Sequence, residues 1–166
     1  MNIGLDKLTI DKLKNLAADV KNQVAVAKND TERQVYDVLS NKNWGASSTI
    51  LNDIARDSYD FDKYGMIMTI VWQSLESPPR EWRKVFKALS LLEHLIKNGT
   101  ERVVEDARDR MHRITTLSQF NYYEGHADKG SGVREKSKQL IELLKSNDTI
   151  REERKRAQKV SGSSPA

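Results

Sequence analysis

Four cations lie close together between residues 80 and 87, in the sequence REWRKVFK. If this segment is helical, spacings of four and three place Arg80, Lys84 and Lys87 on one face. Arg80 would then lie near a helix N-terminus, whose free N–H groups and positive dipole end favour anions. Three cations arranged in this way could hold an inositol phosphate. The same pattern is typical of a solvated face on an otherwise apolar helix, and spacing alone does not separate the two interpretations.

A second candidate is the turn Asn41-Lys42-Asn43, which precedes Trp44 and Gly45. Amide and ammonium donors on a turn suit a phosphate group. The alternative is ordinary turn chemistry, with Trp44 filling a gap in the core.

The N-terminal segment has an amphipathic pattern in which lysines alternate with leucines. A helix of this kind could lie in a bilayer interface, with the leucines as membrane contacts. The segment could equally be a first core helix, or be disordered before Leu13, and its aspartates weaken attraction to an anionic surface. The leucines concerned are Leu5, Leu8, Leu13 and Leu16, the lysines are Lys7, Lys12 and Lys14, and the aspartates are Asp6, Asp11 and Asp19.

Catalytic and metal-binding patterns are missing from the sequence. There is no cysteine, so thiolate ligands, thiol nucleophiles and disulfides are excluded. His94, His112 and His126 do not form a metal-ligand motif such as H-E-x-x-H, and there is neither a phosphate-binding glycine loop nor a nucleophile elbow. We therefore expect no enzyme, no cofactor and no metal.

Length and charge favour a single cytosolic domain. A chain of 166 residues can bury a real core, and its apolar runs are too short to span a bilayer. The net charge is +4, of which residues 151–160 contribute +3, so the rest of the chain is nearly neutral. This distribution argues against a nucleic-acid module, which usually has a broad basic face. The basic end from Ile150 to Lys159 could meet anionic lipid or RNA, or could be an exposed last helix.

Helical periodicity dominates, and no segment shows a convincing period of two, so we expect no sheet. One stripe consists of Tyr64, Ile67, Met68, Val71, Trp72 and Leu75. Residues 82–96 are apolar around most of the circumference, which predicts a central buried helix.

Capping signals divide the chain into short helices. Helix starts are expected near Asn29, at Ser47 or Ser48, at Asp60 or Asp62, and at Asn147 or Asp148. Gly99 is expected in a left-handed cap, and residues 118–132 are expected to form a loop. The prediction is an all-α single domain of about seven to eight helices, packed as a bundle or a right-handed superhelix. The N-terminal segment 1–28 is set apart from the helical domain 29–160 and from a flexible tail, 161–166.

Several blocks together resemble the epsin N-terminal homology (ENTH) domain. They are NWGASSTIL at 43–51, WRKVFKALSLLEHLIKNGT at 82–100, ERVVEDAR at 101–108, VREKSKQLIELL at 133–144 and IREER at 150–154. The resemblance runs from about residue 31 to 159. It implies a right-handed α-superhelix, phosphoinositide binding and a role in clathrin-coated vesicle formation. The NWGASST and NGTERVVEDAR stretches look closer to the epsin-related Golgi and endosomal branch.

The family's head-group site is implied only in part. The resemblance matches Arg80 and Lys84 to its phosphate-binding cations and Asn41 to its turn asparagine, with Lys87 adding positive field. Two arginines usual in the family fall at Tyr36 and Ser74, and Arg33, one turn before Tyr36, could compensate.

The family's lipid-induced N-terminal helix is also poorly matched. Its equivalent, residues 17–27, has Asp19, Asn22 and Gln23 where cations are expected. Deep wedge insertion is therefore doubtful, and the upstream leucines are the alternative.

The resemblance also implies partners and a location. These are membranes containing phosphatidylinositol 4-phosphate or 4,5-bisphosphate, a Vti-type SNARE, and clathrin or adaptors bound through a tail outside this sequence. We expect a monomer that is peripheral on Golgi or endosomal membranes or on clathrin-coated vesicles. The alternative is a protein-interaction superhelix that binds a SNARE or cargo tail and has only weak or vestigial lipid binding.

Overall fold

The structure, a computed structural model, describes residues 29–43 and 45–162. The predictions that concern the N-terminal segment 1–28, with its candidate membrane contacts Leu5, Leu8, Leu13 and Leu16, therefore lie outside the described residues. Trp44 and most of the tail, residues 163–166, lie outside them as well.

Eight α-helices follow one another in the described part of the chain. They are α1 Asp30–Val38, α2 Ser48–Asp57, α3 Phe61–Leu75, α4 Trp82–Asn98, α5 Arg102–Asp109, α6 Met111–Thr116, α7 Ser131–Lys145 and α8 Asn147–Gly162. Two 3₁₀ turns, Pro79–Glu81 and Leu117–Gln119, precede α4 and follow α6. The expected all-α superhelix of short helices is confirmed. Among these helices, none is both long and apolar enough to cross a bilayer.

Side-chain caps explain where several helices begin. The carboxamide of Asn29 accepts from the Glu32 N–H at 2.8 Å, and the Ser47 hydroxyl accepts from the Ile50 N–H at 3.3 Å. Asp60 caps α3 in the same way. The prediction for α8 was wrong, because the cap is Ser146, whose Oγ accepts from the Thr149 N–H at 3.2 Å. Ser146 has the extended backbone that a cap residue needs, whereas Asn147 is already helical.

Helix α4 is the central element, as its apolar circumference predicts. It packs against α2, α3, α5, α7 and α8. Its fully buried side chains are Val85, Ala88, Leu89, Leu91, Leu92, Leu95 and Ile96. Because α4 is packed on so many sides, its first turns are held in a fixed position against the neighbouring segments.

Gly99 ends α4 for a reason different from the one predicted. Its backbone is extended, with φ −89° and ψ −169°, so no left-handed cap forms. A Cβ at this position would lie 2.8 Å from the Leu95 carbonyl oxygen and 2.8 Å from Ser58 Oγ. The Gly99 carbonyl also accepts from the Tyr59 hydroxyl at 3.0 Å and from Arg154 at 2.7 Å. Close packing, and not positive φ, requires glycine here.

The expected loop at 118–132 contains a small antiparallel hairpin, so the prediction of no sheet was wrong in this detail. Strand β1, Tyr123–Glu124, pairs with β2, Ala127–Asp128, across a two-residue loop. Gly125 is the first residue of this loop and has φ +61°, a left-handed value for which two-residue hairpin turns favour glycine. Strands of two residues are too short to show a period of two, so the periodicity test could not detect them.

Candidate functional site

Lys87 joins the two clusters that the sequence analysis considered separately. Its Nζ donates to the backbone carbonyls of Ser40, at 2.7 Å, and Lys42, at 2.6 Å. These carbonyls belong to the turn between α1 and α2. Burial of the ammonium group, followed by the charge of Arg83, lowers the pKa of Lys87, and Asp37 opposes the shift. The side chain thus links α4 to the turn that carries Asn41.

An open cavity of about 320 Å³ lies where this turn meets α4. Its wall is mainly apolar, with cations at the edge. The lining residues are Lys42, Asn43, Gly45, Trp82, Arg83, Phe86 and Lys87. Such a mixture suits a ligand with an anionic group and an apolar portion.

Trp82, the first residue of α4, has two cations near its ring. The Arg83 guanidinium carbon lies 4.5 Å from the ring centroid, and Lys129 Nζ lies 5.6 Å from it. Within the described residues, Trp82 Nε1 and Arg83 Nε are buried without a hydrogen-bond partner. Arg83 was not assigned to the site from its sequence pattern, and Lys129 was missed because it is more than 40 positions away along the chain.

The two cations proposed to contact phosphate lie near the start of α4, but neither is among the residues that line this cavity. Arg80 is exposed in the 3₁₀ turn before α4, and Lys84 is half-buried in the first turn of α4. Helix α4 begins at Trp82, so Arg80 precedes the helix and does not open it, which corrects the predicted helical spacing. The cause is Pro79, which starts the separate 3₁₀ turn. Among the described residues, neither Arg80 nor Lys84 is recorded in a hydrogen bond or ion pair.

The remaining predicted site residues lie on α1 and the turn after it. Asn41 is exposed in the turn. Arg33 is exposed, and its NH1 lies 3.3 Å from Asp30 Oδ1, so part of its charge is offset locally. Tyr36 is half-buried against the core and Ser74 is buried, and neither residue carries a charge.

His94 has a structural role between α2 and α4. Its Nε2 lies 3.0 Å from Asn52 Oδ1, and the Asn98 amide nitrogen lies 3.5 Å from Nδ1. Burial, followed by the charge of Lys97, lowers its pKa, and Glu93 opposes this shift. In the described part of the chain, no three His, Cys, Asp or Glu side chains are grouped to hold a metal.

The cations near the cavity at the start of α4, Arg83, Lys87 and Lys129, suit the binding of an anion.

Comparison with known proteins identifies relatives over most of the chain. The family model described as the ENTH domain matches residues 28–150. Epsin of Dictyostelium discoideum is 40% identical over 128 residues, which cover 77% of this chain and 19% of epsin. The clathrin interactor EPSIN 2 of Arabidopsis thaliana is 39% identical over 127 residues, or 76% of this chain and 14% of that protein. The chain therefore spans less than a quarter of the length of these relatives.

Solved structures share the fold. The human epsinR ENTH domain superimposes with a TM-score of 0.74 and 33% identity, covering 79% of this chain and 98% of that domain. The ENTH domain of epsin-2 in complex with phosphatidylinositol 4,5-bisphosphate gives the same TM-score, 0.74, and 33% identity, over 76% of this chain and 90% of that domain. The epsinR match supports the epsin-related branch that the sequence resembles.

Proposed function

This chain belongs to the ENTH domain family, and from that premise we propose that it binds a phosphoinositide head group and serves as a membrane-trafficking adaptor domain in clathrin-coated vesicle formation. The observation that carries the proposal is the Lys87 link, which brings the Asn41 turn against the N-terminal end of α4. Lys42 of this turn and Lys87 of α4 thereby line one cavity.

Each residue has a distinct role in this proposal. Arg80 and Lys84 contact the phosphates, because their charges are not offset by a carboxylate among the described residues. Asn41 donates a hydrogen bond from its amide, while Lys87 and Arg33 strengthen the positive field. The N-terminal end of α4 adds its own preference for anions. The proposal is one of binding and involves no catalytic step.

The location that we propose for this domain is at Golgi or endosomal membranes, or on clathrin-coated vesicles. It is supported by the epsinR match and by the NWGASST and NGTERVVEDAR stretches. The head group would be that of phosphatidylinositol 4-phosphate or 4,5-bisphosphate, the second being the ligand of the epsin-2 complex. A Vti-type SNARE, and clathrin or adaptors reached through other segments, complete the proposed partners of a monomeric domain.

A second candidate is a protein-interaction superhelix with weak lipid binding. The uncharged residues Tyr36 and Ser74 favour it, since they stand at two positions that the resemblance matches to arginines of the family. Each lost charge-assisted hydrogen bond would remove roughly 1.5–3 kcal/mol.

Vesicle co-sedimentation separates the two candidates. The vesicles contain phosphatidylinositol 4-phosphate, phosphatidylinositol 4,5-bisphosphate or phosphatidylserine as the only anionic lipid. The proteins are the wild type, Arg80→Glu/Lys84→Glu, and a control with the same charge change, Lys155→Glu/Lys159→Glu, at exposed positions of α8. Selective pelleting that only the first variant abolishes supports head-group binding. Pelleting that is absent, or that ignores both the lipid and the Arg80/Lys84 variant, favours the protein-interaction superhelix.

A further inference from the structure

The β1–β2 hairpin is an exposed projection that the proposed head-group site does not use. Residues 123–127 are all exposed, and Tyr123 is 54% exposed. Only three other large hydrophobic residues in the described part of the chain are comparably exposed: Tyr59, Phe61 and Val160. The hairpin therefore presents an aromatic ring that carries a polar hydroxyl at an exposed position.

The base of the hairpin is held firmly. Arg134 donates from NH1 to the Phe120 carbonyl at 2.9 Å and is paired with the carboxylate of Asp128. The Lys129 N–H donates to the Tyr122 carbonyl at 2.9 Å. The packing is so close that a Cβ on Gly130 would lie 2.8 Å from Arg134 NH1. The hairpin therefore has a defined direction relative to the helices.

That direction places the hairpin next to the cavity at the start of α4. Lys129, the residue after β2, lies 5.6 Å from the Trp82 ring centroid, and a Cβ on Gly132 would lie 3.5 Å from the Phe86 ring. Trp82 and Phe86 both line the cavity. The other exposed aromatics, Tyr59 and Phe61, lie near the far end of α4, because the Tyr59 hydroxyl donates to the Gly99 carbonyl and the Arg102 guanidinium carbon lies 5.2 Å from the Phe61 ring centroid. A helix of 17 residues is about 25 Å long, so the two aromatic sites are well separated.

We propose that the β1–β2 hairpin is a second membrane contact, in which Tyr123 lies at the lipid–water interface and Lys129 meets the phosphate of an anionic lipid. This rests on the proposed function, since the head-group site sets which surface faces the bilayer. Tyrosine prefers the interface because its ring is apolar and its hydroxyl polar, and lysine can extend its ammonium toward phosphate.

The charges of the hairpin are compatible with an anionic membrane. Asp128 is neutralised by its pairing with Arg134, so it does not oppose the approach. Glu124 is exposed, but successive residues of a strand point to opposite faces, which separates its carboxylate from the Tyr123 ring.

Site-specific labelling tests the contact directly. The chain has no cysteine, so His126→Cys and the matched control Phe61→Cys each give a single labelling site. Each variant receives an environment-sensitive fluorophore and is bound to phosphatidylcholine vesicles that contain phosphatidylinositol 4,5-bisphosphate and brominated lipid. The proposal expects quenching of the label at 126 and none at 61. An unquenched label at 126 on vesicle-bound protein overturns it.

Affinity measurements distinguish failure of the hairpin from failure of the head-group site. Tyr123→Ala should weaken vesicle binding about fivefold and leave the affinity for soluble inositol 1,4,5-trisphosphate unchanged, whereas Phe61→Ala should change neither. Vesicle affinity of Tyr123→Ala equal to that of the wild type overturns the hairpin contact. If labelled Arg80→Glu/Lys84→Glu protein still binds and is still quenched at 126, the head-group site fails while the hairpin contact stands.

Discussion

Replacing Lys87 by methionine tests whether this side chain holds the two halves of the proposed site together. Methionine keeps most of the aliphatic stem but removes the ammonium group and its bonds to the carbonyls of Ser40 and Lys42. A hydrogen bond from a charged donor contributes about 1.5–3 kcal/mol. The cost of desolvating the ammonium, visible in the lowered pKa of Lys87, and repulsion from Arg83 offset part of this. Solvent screening reduces it further.

We therefore expect Lys87→Met to lower the free energy of unfolding by about 1–2 kcal/mol, which corresponds to a fall in Tm of about 3–6 °C. The turn that carries Asn41 should loosen, and affinity for inositol phosphate should fall with it. Lys84→Met is the matched control, because no hydrogen bond or ion pair of Lys84 is recorded among the described residues. It should weaken binding while leaving Tm nearly unchanged.

Thermal unfolding and isothermal titration with inositol phosphate on the same three proteins provide the assay. Unfolding of Lys87→Met at the wild-type temperature would show that Lys87 does not stabilise the turn. An equal loss of stability in both variants would show the same, since only Lys87 of the two residues bonds to the turn.

Two further predictions concern Gly99, which follows α4, and His94, which lies on α4. Gly99→Ala should lower the free energy of unfolding by about 2 kcal/mol or more, because the new Cβ would lie 2.8 Å from the Leu95 carbonyl oxygen. Gly65→Ala is the control, and it should raise the free energy of unfolding by about 0.5–1 kcal/mol because no atom lies within 4 Å of the new Cβ. Equal thermal stability of the two variants would contradict the role of close packing at Gly99. His94 has a pKa below its ordinary value of 6.5, so its contribution to stability is complete above that pH and is lost as pH falls through the folded-state pKa. His94→Gln should therefore show a flatter dependence of urea-unfolding free energy on pH below about 7, and a slope like that of the wild type would count against this assignment.

Much of the fold could be predicted because the relevant physics is local. The buried face of α4 follows from the spacing of its leucines, and the caps Ser47 and Asp60 follow from side chains that bond to the next turn. The errors occurred where local signals were ambiguous. At Gly99, glycine was needed for close packing and not for positive φ, and in the hairpin the strands were too short to show their period.

Parts of the candidate site could also be identified from local sequence. The donors of the Asn41 turn and the cations between 80 and 87 were found as two clusters, and the family resemblance assigned them one role. Their proximity was not predictable from spacing, since a contact over more than 40 positions depends on how the fold places the turn after α1 against α4. Lys129 was missed for the same reason.

Residue type and short-range spacing were enough to identify the helical class, the apolar core of α4, the lack of cysteine chemistry and the family. Three features depend on the closed fold: Lys87 joins the turn to α4, Arg80 precedes the helix, and a rigid hairpin brings Lys129 to Trp82. Electrostatic and packing interactions act through space, so their partners are set by the way the helices pack and not by distance along the chain.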